Sequence, residues 1–142
     1  MILRRITFIV GAIFLVLGVA GFIPTFMVIP VYDPVMPAGP TLLFGMFAFN
    51  ALHNIVNLAL GAWGLLAART VSDSRLYCRS IAVLCLVLAV MGLMPITSTF
   101  FGLFPLYDSI IGLNLLTAIF TGYFGFVWHE GQTFNKTSSA HP

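Results

Sequence analysis

FLVLGVAGFIP, residues 14–24, returns 71 positions later as CLVLAVMGLMP, residues 85–95. Six of the eleven positions are identical, among them Gly21/Gly92 and Pro24/Pro95. The same offset pairs Arg4 with Arg75, Gly11 with Ala82 and Gly18 with Ala89. A second correspondence follows each copy. FGMFAFNALHNIVNL (44–58) aligns with FGLFPLYDSIIGLNL (101–115) at an offset of 57, with five of fifteen positions identical, including Asn57/Asn114. The offset falls by 14 because the first connection is that much longer. The chain therefore reads as a helix pair present twice, over about 4–68 and 75–128. Two spans per copy leave both copies pointing the same way, which predicts a pseudo-two-fold axis along the membrane normal.

Composition explains why these segments are read as spans. Of 142 residues, 60% are hydrophobic and 7% charged, and the mean hydropathy is +1.06. A soluble domain carries about 25% charged residues, and a globule of this length cannot hide so much apolar area. Four apolar stretches, 6–24, 45–68, 77–96 and 108–128, each have roughly the 20 residues needed to cross hydrocarbon as helix. Helix is required because lipid offers no partner to a free N–H or C=O. The alternating pattern of a membrane barrel is absent. The expected fold is all-α: a polytopic membrane protein, one four-helix transmembrane bundle over residues 1–130 built from a duplicated hairpin, with 131–142 a polar, disordered cytoplasmic tail. Arg4, Arg5 and the small-x-small Gly18-Val19-Ala20 invite a signal-peptide reading. The apolar run is too long for that, and its internal twin could not be a leader.

Charge sets the orientation. Arg4 and Arg5 precede span 1; Arg69, Arg75 and Arg79 flank the link between spans 2 and 3; Lys136 is in the tail. Links 25–44 and 97–107 hold no Lys or Arg. All basic residues fall on one side, which places both termini in the cytoplasm. Pro30, Pro34, Pro37 and Pro40 keep the first outer link from being helical, so it is expected to lie as an extended flap.

Small residues allow helices to approach closely in lipid. Gly11 and Gly18, like Ala82 and Ala89, are seven apart, a spacing suited to left-handed packing. Gly61 and Gly64 serve span 2, and Gly122 and Gly125 serve span 4. Polar residues form two stripes. At 100° per residue, Asn50, His53, Asn54 and Asn57 fit an arc of about 100°, and Asn114, Thr117 and Thr121 form another. Symmetry would set the stripes face to face. They either bond to neighbouring helices, at about 0.6–2 kcal/mol per contact, or line a site for a ligand, ion or water in the outer half of the bundle.

No catalytic constellation is visible. Asp33, Asp73, Asp108 and Glu130 are the acids and none lies mid-span; Asp108 reads as a helix N-cap. No nucleophile–base pair stands out. Zinc wants three or four ligands, and only His53 is near the polar face, with His129 at the opposite membrane end and His141 in the tail. No metal or cofactor is expected; a single axial His53 to haem or a pigment is the alternative. Cys78 and Cys85, seven apart on one helix, cannot bridge each other and read as inert buried thiols. A net charge of +2 without a basic stripe gives no case for nucleic acid.

The stretch GMFAFNALHNIVNLALGAWGLLAAR (45–69) resembles a bacterial family of four-span membrane proteins, domain of unknown function 4383. Its span 2 carries N-x-x-H-N-x-x-H, then small residues and an Ala-Ala-Arg exit. Asn50, His53, Asn54, Gly61, Gly64 and Ala67-Ala68-Arg69 match, while Asn57 stands where a second His is usual. The likeness spans about residues 5–125 and implies four-span topology and bacterial origin, not a chemistry. The expected role is a non-enzymatic structural or accessory subunit in the lipid bilayer, packing against a larger membrane complex or against itself. The alternative is a small channel, or a binding protein for a lipid, quinone or pigment, on the polar face of spans 2 and 4.

Overall fold

The computed structural model describes residues 2–28, 41–103, 105–106 and 109–129. Of the first outer link, 25–44, expected as an extended flap, residues 29–40 lie outside them, as do the cap at Asp108 and the tail 131–142. Four helices dominate: α1 (Ile2–Ala20), α2 (Ala51–Ala67), α3 (Val71–Leu93) and α4 (Ser109–Gly122), the last running on as a π-helical turn, Tyr123–Val127. α1, α3 and the 19 residues Ser109–Val127 are long and apolar enough to cross a membrane. α2, with 17 residues, rises only about 25 Å.

α2 begins later than its apolar run suggests because residues 42–48 reverse direction first. Three two-residue strands, β1 (Met27–Val28), β2 (Leu42–Leu43) and β3 (Phe47–Ala48), form an antiparallel sheet in the order β1-β2-β3. This small sheet is an addition to a mostly helical chain that the sequence reading did not foresee. Its tight turn puts Phe44 (φ 53°) and Gly45 (φ 72°) in the left-handed region, and Met46 N–H donates to Leu43 O (3.1 Å). Glycine adopts that conformation freely; Phe44 is held there by the pairing on either side. Such pairing satisfies backbone groups near the helix end, where lipid cannot.

α1 packs along α2, and α3 along α4. The α1–α2 seam is antiparallel: Gly11 meets Gly64, Leu15 meets Gly61, and Gly18 meets Leu58. A Cβ on Gly61 would lie 2.5 Å from Leu15 N, so these backbones are in direct contact. This is the close approach expected of Gly11, Gly18, Gly61 and Gly64. In the second pair Ala82 and Ala89 are buried. Gly122 would tolerate a methyl group at 3.6 Å from Ala82 Cβ, whereas Gly125 lies against the Arg79 backbone.

The helix pairs join through α3, which touches α1 and α2. Thr7 Oγ1 donates to Ser74 O (3.4 Å) across the α1–α3 crossing, and Ser74 Oγ to Ala67 O (3.1 Å). The core has two layers. Leu3, Val10, Tyr77, Ile81 and Ala118 form one, with the free and buried Cys78 and Cys85. Leu43, Phe49, Leu106 and Ile110 form the other. Large apolar side chains such as Ile13, Val16, Leu86, Leu116 and Ile119 face outward, a coat far more apolar than a soluble monomer exposes.

The described arginines gather at one end. Arg4 Nε donates to Ala68 O and Arg79 Nε to Gly125 O, each at 2.8 Å. Both quench carbonyls that the ends of α2 and of the π turn leave without intrahelical partners. Thr70 caps α3 by accepting from Asp73 N–H (3.1 Å) and donates its hydroxyl to the Asp73 carboxylate (2.7 Å).

Candidate intramembrane site

The seven polar residues of the two stripes do not act as one group. Asn50 is the N-cap of α2: its Oδ1 accepts from His53 N–H (2.9 Å) and its Nδ2 donates to Leu103 O (2.7 Å). Asn54 is buried against α1 and donates to Gly21 O (2.7 Å). Thr121 turns back along its own helix to Thr117 O (2.7 Å), and Thr117 likewise to Leu113 O (2.8 Å). Asn50 and Asn54 thus reach neighbouring segments, whereas Thr117 and Thr121 bond within their own helix.

His53, Asn57, Asn114 and Thr117 are brought together. They line a cavity of about 350 Å³ between α1, α2 and α4, otherwise walled by apolar side chains including Ile13, Phe14, Leu17, Leu113 and Phe120. Phe49 stacks on the His53 ring with centroids 4.3 Å apart. Asn57 is 4% exposed, and its Nδ2 has no acceptor among the described residues. Asn57 lies two turns into α2 from the cap, about 10 Å along the axis. Leaving a buried amide donor unmatched costs about 1–3 kcal/mol. An apolar pocket of roughly 300–1,000 Å³ with a few convergent polar groups is the usual form of a small-molecule site. A larger cleft of about 740 Å³ opens at the end away from the arginines, beside Asn50 and Asn54. The amide nitrogens of both residues are already spent on carbonyls, while Asn54 Oδ1, like Asn57 Nδ2, is buried without a hydrogen-bond partner among the described residues.

Among the described residues, no three His, Cys, Asp or Glu side chains come together as metal ligands. The one described carboxylate, Asp73, is bound to Thr70 at the arginine end. His129 follows the π turn there, its Nδ1 bonded to Val127 O (2.8 Å). It is separated from His53 by the length of α4.

A family model, Domain of unknown function (DUF4383), matches residues 4–127. The chain belongs to this family. No curated protein and no solved structure matches it. The DUF4383 match takes in all four helices and every residue of the cavity, as the resemblance in span 2 led one to expect. The sequence did not single out the α1 wall of the cavity, or Tyr77, which is fully buried on α3 and bonded to Leu60 O of α2. The visible signal for Tyr77 was its place in the repeat, where it faces Ile6 at the 71-residue offset.

Proposed function

We propose that this DUF4383 chain is a non-enzymatic protein of a bacterial inner membrane that crosses four times as two copies of a hairpin and holds an apolar molecule in the α1–α4 cleft. Hydrogen bonds repeating at the 57-residue offset support the duplication. Phe49 N–H donates to Thr41 O, as Leu106 N–H does to Ser98 O; Met46 N–H donates to Leu43 O, as Leu103 N–H does to Phe100 O. The left-handed Phe44-Gly45 has its counterpart in Phe101-Gly102. Gly21 lies against Asn54, and Gly92 against Ile111. Ala68 and Gly125, whose carbonyls accept from arginine, also correspond, although Arg79 is one helical turn beyond the strict match Arg75.

The connections between copies are reciprocal. Asn50 Nδ2 reaches Leu103 O, and Ser109 Oγ reaches Met46 O, both at 2.7 Å. Met46 and Leu103 are equivalent positions. Each second helix is thus tied at its start to the turn of the other copy, as a two-fold along the membrane normal requires. This arrangement supports four crossings, with the 41–49 turn completing the span that α2 leaves short. It also sets the turns outside and the arginines in the cytoplasm, by the bias of basic residues.

The buried Asn57 amide on the wall of an apolar cavity carries the binding reading. The accessory-subunit role rests on apolar surface for which lipid alone is sufficient; lipid-facing surface does not call for a buried donor. The test is native mass spectrometry of protein extracted from its own membranes in mild detergent. Wild type is expected to carry a bound small molecule. Leu113→Trp, which fills the cavity, should lose it at an unchanged elution profile. Equal retention in the two proteins would refute the reading.

A further inference from the structure

One face of α1 joins a cationic pocket to an apolar groove. At the arginine end, Arg4, Arg5, Phe8, Ile9 and Ala68 line a pocket of about 540 Å³. Next along the helix, Phe8, Ile9, Ala12, Ile13, Val16 and Leu17 line a groove of about 320 Å³, an apolar wall throughout. Phe8 and Ile9 belong to both, so pocket and groove are continuous. At 100° per residue, Phe8, Ile9, Ala12, Ile13 and Val16 lie within about 80° of Arg5 around the helix. From Arg5 to Val16 the helix rises about 16 Å, close to half of the ~30 Å hydrocarbon thickness, the share of one leaflet. Phe8, Ile9, Ile13 and Val16 are all more than half exposed, so nothing in the described chain covers the groove.

Charge decides what the pocket takes. Arg5 is exposed and has no hydrogen bond or ion pair among the described residues. Arg4 Nε donates to Ala68 O, which offsets the partial negative charge that the exit of α2 brings to the pocket. Asp73, the one described carboxylate, is bonded to Thr70 and does not line the pocket. The pocket therefore calls for an anion, and guanidinium groups match the geometry of a phosphate. The groove calls for a hydrocarbon chain attached to that anion. We infer that this face of α1 seats one anionic phospholipid, its phosphodiester at Arg5 and an acyl chain along Phe8, Ala12 and Val16. An ammonium-bearing headgroup finds no carboxylate among the lining residues, which favours phosphatidylglycerol chemistry over phosphatidylcholine.

The second copy does not repeat the pattern. At the 71-residue offset Leu76 stands for Arg5 and Arg79 for Phe8. Arg79 is engaged by Gly125 O (2.8 Å) and lies 5.2 Å from the Phe126 ring centre. The lipid seat is thus a property of the first hairpin, at one per chain.

This inference does not depend on what the α1–α4 cleft holds. Purified full-length protein in mild detergent is titrated with phosphatidylglycerol and, separately, with phosphatidylcholine of the same chains, and adducts are counted by native mass spectrometry. Wild type should take one phosphatidylglycerol per chain in preference to phosphatidylcholine. Arg5→Gln should weaken that binding about fivefold, the effect of one basic residue at an anionic surface. Ala12→Trp, which fills the groove, should weaken it as well. Arg75→Gln removes the same charge from the same end, outside the pocket, and should leave it unchanged. Equal binding of the two lipids, or equal losses in Arg5→Gln and Arg75→Gln, would reduce the effect to overall charge and overturn the inference. Undiminished binding by Ala12→Trp, or displacement of the lipid by an equal concentration of inorganic phosphate, would take the groove out of the site and overturn it too. Should Ala12→Trp not fold, the comparison of Arg5→Gln with Arg75→Gln still decides.

Discussion

Gly64→Leu is expected to yield no folded protein that survives extraction into detergent. A Cβ at this position would lie 2.6 Å from Gly11 Cα and 2.8 Å from the Tyr77 ring and hydroxyl. The first of these is backbone and cannot step aside without parting α1 from α2. The second is the side chain that seats α3 on α2. Overpacking a core costs about 1–3 kcal/mol where side chains can adjust. Here the obstacle is the backbone of the partner helix, so the cost should exceed that range. In lipid, moreover, no hydrophobic force between helices compensates for lost contact. Gly122→Ala is the internal control. Its new methyl group meets Ala82 Cβ at an ordinary 3.6 Å, and stability should change by no more than about 0.5 kcal/mol. Fluorescence-detected size exclusion of the two variants would show a monodisperse peak for Gly122→Ala and aggregate or no peak for Gly64→Leu.

Tyr77→Ala should be the most damaging truncation. Removing a fully buried aromatic side chain costs about 3–5 kcal/mol. Tyr77 touches both Trp63 and Gly64 and belongs to the inner core layer. Tyr77→Phe separates packing from hydrogen bonding. It keeps the ring and forfeits only the bond to Leu60 O, and such interhelical bonds average about 0.6 kcal/mol in membranes. Thermal unfolding in detergent should therefore show a large drop in midpoint for the alanine variant and a small one for phenylalanine. Equal losses would mean that the hydroxyl, not the ring, holds α2 and α3 together.

Much of the helical plan was legible because lipid leaves the chain few choices. Long apolar runs become helices, and the small residues Gly11, Gly18, Gly61 and Gly64 mark where two of them touch. The strands were not legible. Phe44-Gly45 reads as part of an apolar run, and only the left-handed backbone at both residues reveals a turn. The same local preference explains Asn50. An asparagine followed three residues later by an available N–H is a cap signal, but inside an apolar stretch it resembles a buried polar residue. Of the stripe, periodicity puts His53 and Asn57 on one face, and both line the cavity. It could not tell that Asn54 would bond to Gly21 O or that Thr121 would bond within its own helix, because backbone carbonyls leave no trace in a hydropathy pattern. The cavity was the least legible feature. It is walled by residues from three helices, Ile13 and Phe14 on α1, His53 and Asn57 on α2 and Leu113 and Phe120 on α4, and a hydropathy pattern does not say which helices meet.

Membrane-impermeant maleimide labelling tests the central claim most directly, using single cysteines in a chain freed of Cys78 and Cys85. Met46→Cys and Ile96→Cys, at exposed positions (58% and 88%) in the two outer connections, should both label in intact cells. Asp73→Cys, beside the α3 cap, should label only after the membrane is opened. Labelling of Asp73→Cys in intact cells, or of only one of the two outer positions, would contradict two hairpins inserted in the same direction.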